Sequence, residues 1–180
     1  MDTATKNLEN DHELILRLIE VIVKMTRADN FNIAHFEKAA YIIRNFADGF
    51  HHSKEENIFF PMLAKRGFPT RQGPVAVMIH EHTEGRDLVK KMSEAIDQFK
   101  EGDSSAKEVI FYNALEYCKL LGSHISKENN ILFRMADNAL SDSDQLQLLS
   151  DFGDIEKSKR NEDLKRECIA SIGEFELVYE

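Results

Sequence analysis

The chain has 180 residues, of which 42% are hydrophobic and 31% are charged, and its formal net charge is −9. These values are typical of one soluble globular domain, or of one domain with an appendage. The negative charge disfavours nucleic acids and anionic membranes as partners, and no apolar run approaches the length that crosses a bilayer.

Helical periodicity predicts four long amphipathic helices, whereas strand patterns are nearly absent. The predicted helices cover residues 6–27, 33–65, 74–100 and 105–139. Because short connections join them, we expect an all-α protein whose residues 1–140 form an up-down-up-down four-helix bundle. Pro61 is expected either to kink the second helix or to mark its fraying end.

Each predicted helix has one apolar face, and histidines and glutamates interrupt these faces. The residues expected to point inward are Leu8, His12, Ile15, Ile19 and Ile22 in the first helix; Phe36, Ala40, Ile43, Ala47, His51, Glu55, Ile58 and Met62 in the second; Val75, Met78, His82, Gly85, Val89, Met92, Ile96 and Phe99 in the third; and Ile110, Ala114, Tyr117, Leu121, His124, Glu128, Ile131 and Met135 in the fourth. All four helices therefore bring ionisable side chains towards the bundle axis.

Residues 141–180 are expected to form a C-terminal helical appendage. The run SDSD, at 141–144, supplies residues that favour helix N-termini. A short helix should follow, then a charged stretch, then a helix that carries Leu164, Cys168 and Ile172. The final run EFELVYE alternates polar and apolar residues, which fits an edge strand, a frayed helix or a contact with another subunit.

The second and fourth helices contain two copies of one motif. Residues 51–62, HHSKEENIFFPM, align without gaps with residues 124–135, HISKENNILFRM, and eight of the twelve positions are identical. The second copy has one His and one Glu, four residues apart, and the matching residues of the first copy are His51 and Glu55. His52 falls on a polar face and is predicted to be a solvated surface residue, so replacing His51 should remove a bound metal and replacing His52 should not.

Residues four apart on a helix project from one face, within about 6 Å of each other. Each motif copy follows a helix with a single inward histidine, so the two helical hairpins are expected to be related by approximate two-fold symmetry. Buried carboxylates without partners cost several kcal/mol each, and a pair of metal ions would remove that cost. The predicted metal ligands are His12, His51, Glu55, His82, His124 and Glu128.

Each metal would take two histidines, and Glu55 and Glu128 would bridge the two ions. Octahedral ions would keep about two open positions each for water, an oxo or hydroxo bridge, or an external ligand. Histidines and carboxylates without thiolates favour two iron ions, with manganese or zinc as weaker candidates. The competing interpretation is a set of hydrogen-bonded core histidines, which is common for one histidine but not for two matched motifs.

Other positions carry weaker signals. His80 is expected to be exposed, and His35 to lie at the surface or to cap a helix. Tyr117 would either pack as an ordinary core aromatic or hydrogen-bond a group on the metal. Gly85, one turn beyond the histidine of the third helix, would either leave room for a diatomic or peroxide ligand or allow close helix packing.

The segments NDHELILRLIEVI, HHSKEENIFFPML, GPVAVMIHEHTEGRDLV and HISKENNILF resemble the hemerythrin-like, HHE cation-binding, family over residues 6–140. The resemblance implies a non-haem di-iron centre with the six ligands given above and with Glu55 and Glu128 bridging. Oxygen-carrying members have a second histidine four residues after the first on the third helix, and Arg86 takes that position here. The resemblance therefore implies a more open and more symmetric centre, closer to relatives associated with responses to nitric oxide or peroxide.

The cysteines and the N-terminus indicate the expected location. Cys118 and Cys168 are far apart and fit no zinc or redox spacing, so they should be inert packing residues in a reduced setting. The first eleven residues are polar and lack the apolar core of a signal peptide. We therefore expect a cytoplasmic protein.

Three functions are compatible with such a centre. The first is a di-iron protein that binds, senses or reduces a small oxidant in oxidative or nitrosative stress, the oxidant being dioxygen, nitric oxide or hydrogen peroxide. The second is a non-enzymatic sensing or iron-handling module that acts on a redox or protein partner through residues 141–180. The third, iron storage or delivery, is the weakest because ferritin-like sites use more carboxylates and fewer histidines.

Overall fold

The computed structural model describes residues 3–180, and all regular secondary structure in that part of the chain is helical. The first long helix is α1 Ala4–Arg27, and the second consists of α2 Ile33–Ile42, the π-helical segments Ile43–His52 and Glu55–Phe59, and α3 Phe60–Lys65. The third is α4 Gly73–Lys100, and the fourth consists of α5 Ala106–Lys127, the π-helical segment Glu128–Leu132 and α6 Phe133–Ala139. Two further helices follow, α7 Asp142–Glu156 and α8 Lys159–Val178. The all-α prediction is confirmed, and the four long helices begin and end within two residues of their predicted bounds. None of the helices within residues 3–180 is long and apolar enough to cross a membrane.

Polar side chains start several helices. The side chains of Thr3, Asn32, Ser141 and Ser158 each accept a hydrogen bond from a backbone N–H in the first turn of α1, α2, α7 and α8. Such a cap stabilises a helix by about 1 kcal/mol. Ser141 and Asp144 exchange two bonds in a capping box, which confirms the helix start predicted at the SDSD run.

Contacting residue pairs show that neighbouring long helices run antiparallel. In the first and fourth long helices, Thr5 donates to Asp137 and His12 contacts Asn129. Residue numbers thus rise along the first helix while those of its partners fall along the fourth. Equivalent opposed pairs are Arg44 with Ser93 and Asp48 with Arg86, and His82 with His124 and Gly85 with Tyr117. These are the pairs that an up-down-up-down order requires.

The hydrophobic core is divided into two clusters, and the predicted metal ligands lie between them. In α1, Leu8 belongs to one cluster and Ile15 to the other, with His12 in between. The third long helix repeats this arrangement around its own inward histidine. Because apolar side chains close both ends of the polar layer, charged groups in it are held away from water.

The face predicted for the end of the second motif copy is wrong. Ile131 and Met135 are 52% and 42% exposed, and Leu132 and Phe133 enter the core instead. The cause is the π-helical segment that begins at Glu128. Hydrogen bonds between residues five apart widen the turn, and this rotates every later residue relative to α-helical periodicity.

The first copy shows the same rotation. Phe59 and Phe60 are buried, while Ile58 and Met62, which were predicted to point inward, are only half-buried. Pro61 does not end the helix, which continues to Lys65. It lies in the first turn of α3, directly after the π-helical segment, where a missing N–H is tolerated.

The two C-terminal helices pack against the bundle. Leu148 and Phe152 of α7 join the smaller core cluster, and Cys168 and Ile172 of α8 join the larger one. The predicted charged stretch forms the end of α7 and the beginning of α8. The division into a bundle at 1–140 and an appendage at 141–180 stays a prediction.

The last residues form a helix that ends at Val178, so the edge-strand alternative is wrong. Tyr179 follows it and is buried, with its hydroxyl 2.7 Å from Nδ1 of His35. Tyr179 therefore covers part of His35. The residue that caps α2 is Asn32, not His35. His80 is exposed, as predicted.

Both cysteines are buried, and neither forms a disulfide within residues 3–180. Burial raises the pKa of the Cys118 thiol and of the Cys168 thiol to about 12. Thiols that stay protonated at neutral pH are poor nucleophiles and poor metal ligands. This agrees with the prediction that both are packing residues.

Candidate metal centre

All six predicted ligands lie in the polar layer between the two core clusters. Their exposed fractions are 0% for Glu55 and Glu128, 1% for His12, His51 and His124, and 2% for His82. The two motif copies and the two preceding helices therefore meet at one buried point.

The histidines form two close pairs. His12 and His51 approach through their Nε2 atoms at 3.0 Å, and His82 and His124 do so at 3.2 Å. Where the Nδ1 atom of each ring donates to an acceptor, both Nε2 atoms carry lone pairs that repel each other. A cation between them, either a proton or a metal ion, removes this repulsion.

Each glutamate approaches one histidine of both pairs. The distances are 3.6 Å from Glu55 Oε1 to His51 Nε2, 3.4 Å from Glu55 Oε2 to His82 Nε2, and 3.3 Å from Glu128 Oε2 to both His12 Nε2 and His124 Nε2. Glu55 and Glu128 thus lie between the pairs, which is where bridging ligands of a two-metal centre belong.

The carboxylate oxygens test whether the site fits metal ions. All four oxygens of Glu55 and Glu128 are buried, and none has a hydrogen-bond partner among residues 3–180. With no cation beside them, either a metal ion or protonated histidines, two buried carboxylates would each cost several kcal/mol. Two groups of donor atoms, each lying within 4.8 Å of one another, share Glu55 and can hold metal ions. Histidine nitrogens with carboxylate oxygens suit iron, manganese or zinc.

Acceptors behind the rings fix three of the four paired histidines. The Nδ1 atoms of His12, His82 and His124 donate to Asn129 Oδ1 at 2.7 Å, Glu56 Oε1 at 2.6 Å and Glu81 Oε2 at 3.0 Å. The Nδ1 atom of His51 lies 3.6 Å from Asp11 Oδ2. Such acceptors set the tautomer and aim the opposite nitrogen at a metal.

The same groups hold protons strongly when no metal competes. Burial opposes protonation of His124, but the Glu128 and Glu81 carboxylates outweigh it and raise the pKa of His124 to about 10. Burial likewise opposes ionisation of Glu128, yet His124 and His12 hold the pKa of that carboxyl well below its usual range. Metal binding must therefore displace protons from the imidazoles.

The prediction that His52 is a solvated surface residue is wrong. His52 is 5% exposed, and its ring stacks on His82 with 3.7 Å between centroids. The inner face of the helix takes two neighbouring residues at this level, and the second copy shows the same within an α-helical segment, where His124 and Ile125 are both buried. The repeat contained the signal: Ile125, which aligns with His52, is apolar and also buried.

His52 belongs to the second donor group, with Glu55, His82 and His124. Its Nδ1 atom lies 3.4 Å from Asp48 Oδ1, and its Nε2 atom is buried without a partner in the described part of the chain. Burial lowers the pKa of His52 well below its usual value, so the ring is neutral.

Arg86, which occupies the position of the expected second histidine, binds two carboxylates instead. Its guanidinium donates to Asp48 Oδ1 and to Glu56 Oε1, both at 2.8 Å. Glu56 in turn accepts from His82, and Asp48 lies beside His52. Arg86 thus fixes the carboxylates that orient two histidines of the centre, a role that helical periodicity and the family resemblance did not indicate.

A buried lysine forms the opposite wall of the centre. Lys54 is fully buried, and its Nζ atom contacts Asp11 and lies 2.9 Å from Glu156 Oε1 of α7. Asp11 is also the carboxylate beside His51. This network was not predicted, although the identity of Lys54 and Lys127 in the repeat was a signal for it.

A cavity of about 330 Å³ reaches the centre from the other side. Its lining runs from exposed Lys90 and Glu94 to the buried rings of His52, His82 and His124. Apolar groups form most of the wall between these ends: Ile43, Gly85, Val89, Tyr117, Leu120 and Leu121.

Gly85 leaves part of this cavity open. A Cβ atom at Gly85 would lie 3.5 Å from Cε2 of Tyr117, which is an ordinary contact. Close helix packing therefore does not require glycine here, which favours the alternative that Gly85 provides room beside the centre. Tyr117 is 3% exposed and lines the same space.

Several known proteins and one family model resemble this chain. The sequence model of the hemerythrin HHE cation binding domain matches residues 3–136. An uncharacterized protein of Mycobacterium tuberculosis is 24% identical over 143 residues, which cover 77% of this chain and 55% of that protein. No solved structure matches the chain.

Two further relatives are named iron–sulfur cluster repair protein YtfE. The one from Enterobacter sp. is 30% identical over 130 residues, or 67% of this chain and 58% of the relative. The one from Salmonella newport is 37% identical over 90 residues, or 48% of this chain and 40% of the relative. The chain thus spans about half the length of the curated relatives it matches. Because the family's pattern covers most of the sequence, including all six predicted ligands, the protein belongs to the hemerythrin HHE cation-binding family.

Proposed function

We propose that the protein is a non-haem di-iron protein that binds, senses or reduces a small oxidant: dioxygen, nitric oxide or hydrogen peroxide. The observation that carries this proposal is the set of buried, unpartnered oxygens of Glu55 and Glu128 between two histidine pairs, all within residues 3–180. Two iron ions held there would supply electrons and open positions for a small ligand.

The protein's own groups would orient the centre and control access to it. Glu56 and Glu81 hold the Nδ1 protons of His82 and His124, so these rings keep Nε2 directed at the metal. The cavity beside them has charged groups at its outer part and apolar side chains next to the buried rings. A diatomic or peroxide ligand is small enough to reach the centre through that apolar part.

The relatives support a role in stress. Two of them carry the name iron–sulfur cluster repair protein, and damage to such clusters is caused by small oxidants. We therefore propose that this chain acts in the response to oxidative or nitrosative stress, in the cytoplasm.

Anaerobic loading with iron(II), iron analysis and stopped-flow spectroscopy with each oxidant test the proposal. We expect two iron ions per chain and a spectral change with at least one oxidant within the mixing experiment. Glu13→Gln, at an exposed carboxylate, is the matched control and should behave as the wild type. A loaded centre that stays silent towards all three oxidants would overturn the proposal. More than two bound ions per chain would instead favour iron storage.

A second candidate, a sensing module with a protein partner, has support from the C-terminal helices. Glu156 of α7 contacts Lys54, Lys54 contacts Asp11, and Asp11 lies beside His51. A change in the charge of the metal centre would thus alter the contacts that hold α7, a helix of the 141–180 segment, against the bundle. Hydrogen exchange of the α7 amides, with and without iron, tests this. Sensing predicts a change that Glu156→Gln abolishes, and unchanged exchange in the wild type argues against it.

A further inference from the structure

We propose that His52 is a third imidazole ligand of the metal ion held by His82 and His124. This assignment rests on the two-metal centre proposed above and goes beyond its six ligands. It makes the centre unequal, with three histidines on the side of the cavity and two on the side of α7.

The first observation is the position of the ring. His52 belongs to a buried donor group with Glu55, His82 and His124, whose donor atoms all lie within 4.8 Å of one another. Its ring is nearly parallel to that of His82, with an interplanar angle of 15° and 3.7 Å between centroids. This contact holds the His52 ring beside the other donors of the group. Binding of His52 and His82 to one ion requires the two rings to tilt out of this parallel arrangement, because an imidazole lone pair lies in the plane of its ring.

The second observation is an unused nitrogen. The Nε2 atom of His52 is buried and has no hydrogen-bond partner within residues 3–180. Buried polar atoms without a partner are rare in folded proteins, and many of those that do occur bind an ion or a water molecule. The apolar surroundings offer this nitrogen no donor, whereas a metal ion between Glu55, His82 and His124 would accept its lone pair.

The third observation is that the opposite side of the ring is anchored. Nδ1 of His52 lies 3.4 Å from Asp48 Oδ1, and Arg86 holds Asp48 by a hydrogen bond of 2.8 Å. The other histidines of the centre have the same arrangement, in which a carboxylate or amide oxygen lies behind Nδ1. An acceptor behind one nitrogen and a metal before the other is the common environment of a ligating histidine.

The second motif copy offers a matched variant. Ile125 occupies the position equivalent to His52 and is also buried, at 3% exposure. His52→Ile therefore places in the first copy a residue that the second copy tolerates at the same point of the helix. His80→Ile, at a side chain that is 72% exposed, is the control.

Anaerobic titration with cobalt(II), followed by visible absorption, tests the assignment without any enzymatic reaction. We expect two cobalt ions in the wild type and in His80→Ile. In His52→Ile, one of the two ions should bind at least about 10-fold more weakly, since losing even an indirect partner of a ligand costs this much. Its absorption bands should also shift, because a nitrogen donor has been removed.

Proton NMR of the cobalt-loaded wild type gives a second measurement that needs no variant. Each ligating histidine should contribute one strongly shifted, solvent-exchangeable N–H signal, so His52 would add a fifth to the four from His12, His51, His82 and His124. Four signals in the wild type, or unchanged affinity and absorption in His52→Ile, would overturn the assignment while leaving the two-metal centre intact. Failure of the wild type to bind two ions would instead overturn the proposed function.

Discussion

The two motif copies have the same arrangement of a lysine and a carboxylate beside one of their histidines. In each copy a lysine contacts a carboxylate that approaches Nδ1 of the histidine three residues before it: Lys54 with Asp11 and His51 in the first, and Lys127 with Glu81 and His124 in the second. The identity of the two lysines in the repeat thus has a physical reason. Each fixes the charge and position of the carboxylate behind a predicted ligand.

The surroundings of the two copies differ. Lys54 is fully buried beneath α7, whereas Lys127 is 34% exposed and has no such cover. The first copy also places His52 beside the cavity, where the second has Ile125. The two copies of the repeat therefore have different surroundings: the C-terminal helices cover one side of the proposed centre, and a cavity adjoins the other.

The largest effect should come from the glutamates that the two positions share. Glu128→Ala should lose both metal ions, because its carboxylate lies 3.3 Å from one histidine of each pair. Metal analysis of protein loaded with iron(II) checks this, with Glu13→Ala as the surface control. Retention of one ion at wild-type affinity would show that the two positions are independent and that Glu128 does not bridge them.

The next largest effect is on the free energy of unfolding, which should fall more when Lys54 is replaced than when Lys127 is replaced. Lys54→Met would leave Asp11, which is 1% exposed, with only the partly exposed Lys165 at 3.3 Å as a cation, and breaking a buried ion pair costs about 3–5 kcal/mol. Lys127→Met removes a partly exposed pair and should cost less than about 1 kcal/mol. Urea unfolding of both variants, loaded with the same metal, measures the difference. Equal losses would contradict the inference that α7 seals only one side.

Protonation of the histidines in the metal-free centre predicts that metal affinity depends on pH. Without metal, burial disfavours the charged form of His124, yet Glu128 and Glu81 raise its pKa to about 10, and the pKa of His12 and of His82 is also raised. His124 is therefore protonated at neutral pH and must release its proton to bind metal. Apparent metal affinity should rise with pH up to about 10, by about tenfold per pH unit for each proton displaced.

Chelator competition at several pH values measures that slope for each of the two ions. His124→Gln should reduce the slope for the ion on the side of the cavity more than for the other. A flat profile, or affinity that falls as pH rises, would contradict the proton displacement described here.

Much of the fold and the six buried residues of the centre could be predicted because the relevant signals are local. Apolar residues every three or four positions define each helix, and the His–Glu spacing in both copies identifies which of two adjacent histidines is repeated. The π-helical segments could not be predicted in this way. One residue added to a turn rotates the residues after it, which is why α-helical periodicity places Ile131 inside. His52 was missed for another reason: the inner face at this level takes two neighbouring residues, as His124 and Ile125 also show.

The neighbours of the predicted ligands were missed for a different reason. Asp11, Lys54 and Glu156 come from three distant parts of the sequence, and each is an ordinary polar residue on its own helix. Only the packing of α7 on the bundle makes a buried cluster of them. Arg86 departs visibly from the family pattern. Its contacts with Asp48 and Glu56, however, depend on which face of the second long helix is directed at α4, and the sequence around Arg86 does not show this.

The smallest predicted effect concerns two glycines: Gly85, which lines the cavity, and Gly122, which lies where α5 contacts α1. Gly85→Ala should fill part of the cavity, with a Cβ at 3.5 Å from Tyr117, while Gly122→Ala would place a Cβ at 3.6 Å from Ile19. Both changes should stabilise the protein by up to about 1 kcal/mol, because alanine favours a helix over glycine and neither Cβ meets a close contact. Urea unfolding measures this gain.

The same pair of variants locates the route to the metal. Gly85→Ala should slow the reaction of the iron-loaded protein with the oxidant that reacts, because the added methyl lies in the cavity beside His82. Gly122→Ala adds the same group outside the cavity and should leave that rate unchanged. Because both variants keep every predicted ligand, metal content should stay at the wild-type level in each. Slower entry in Gly122→Ala alone would contradict entry through the cavity beside His82.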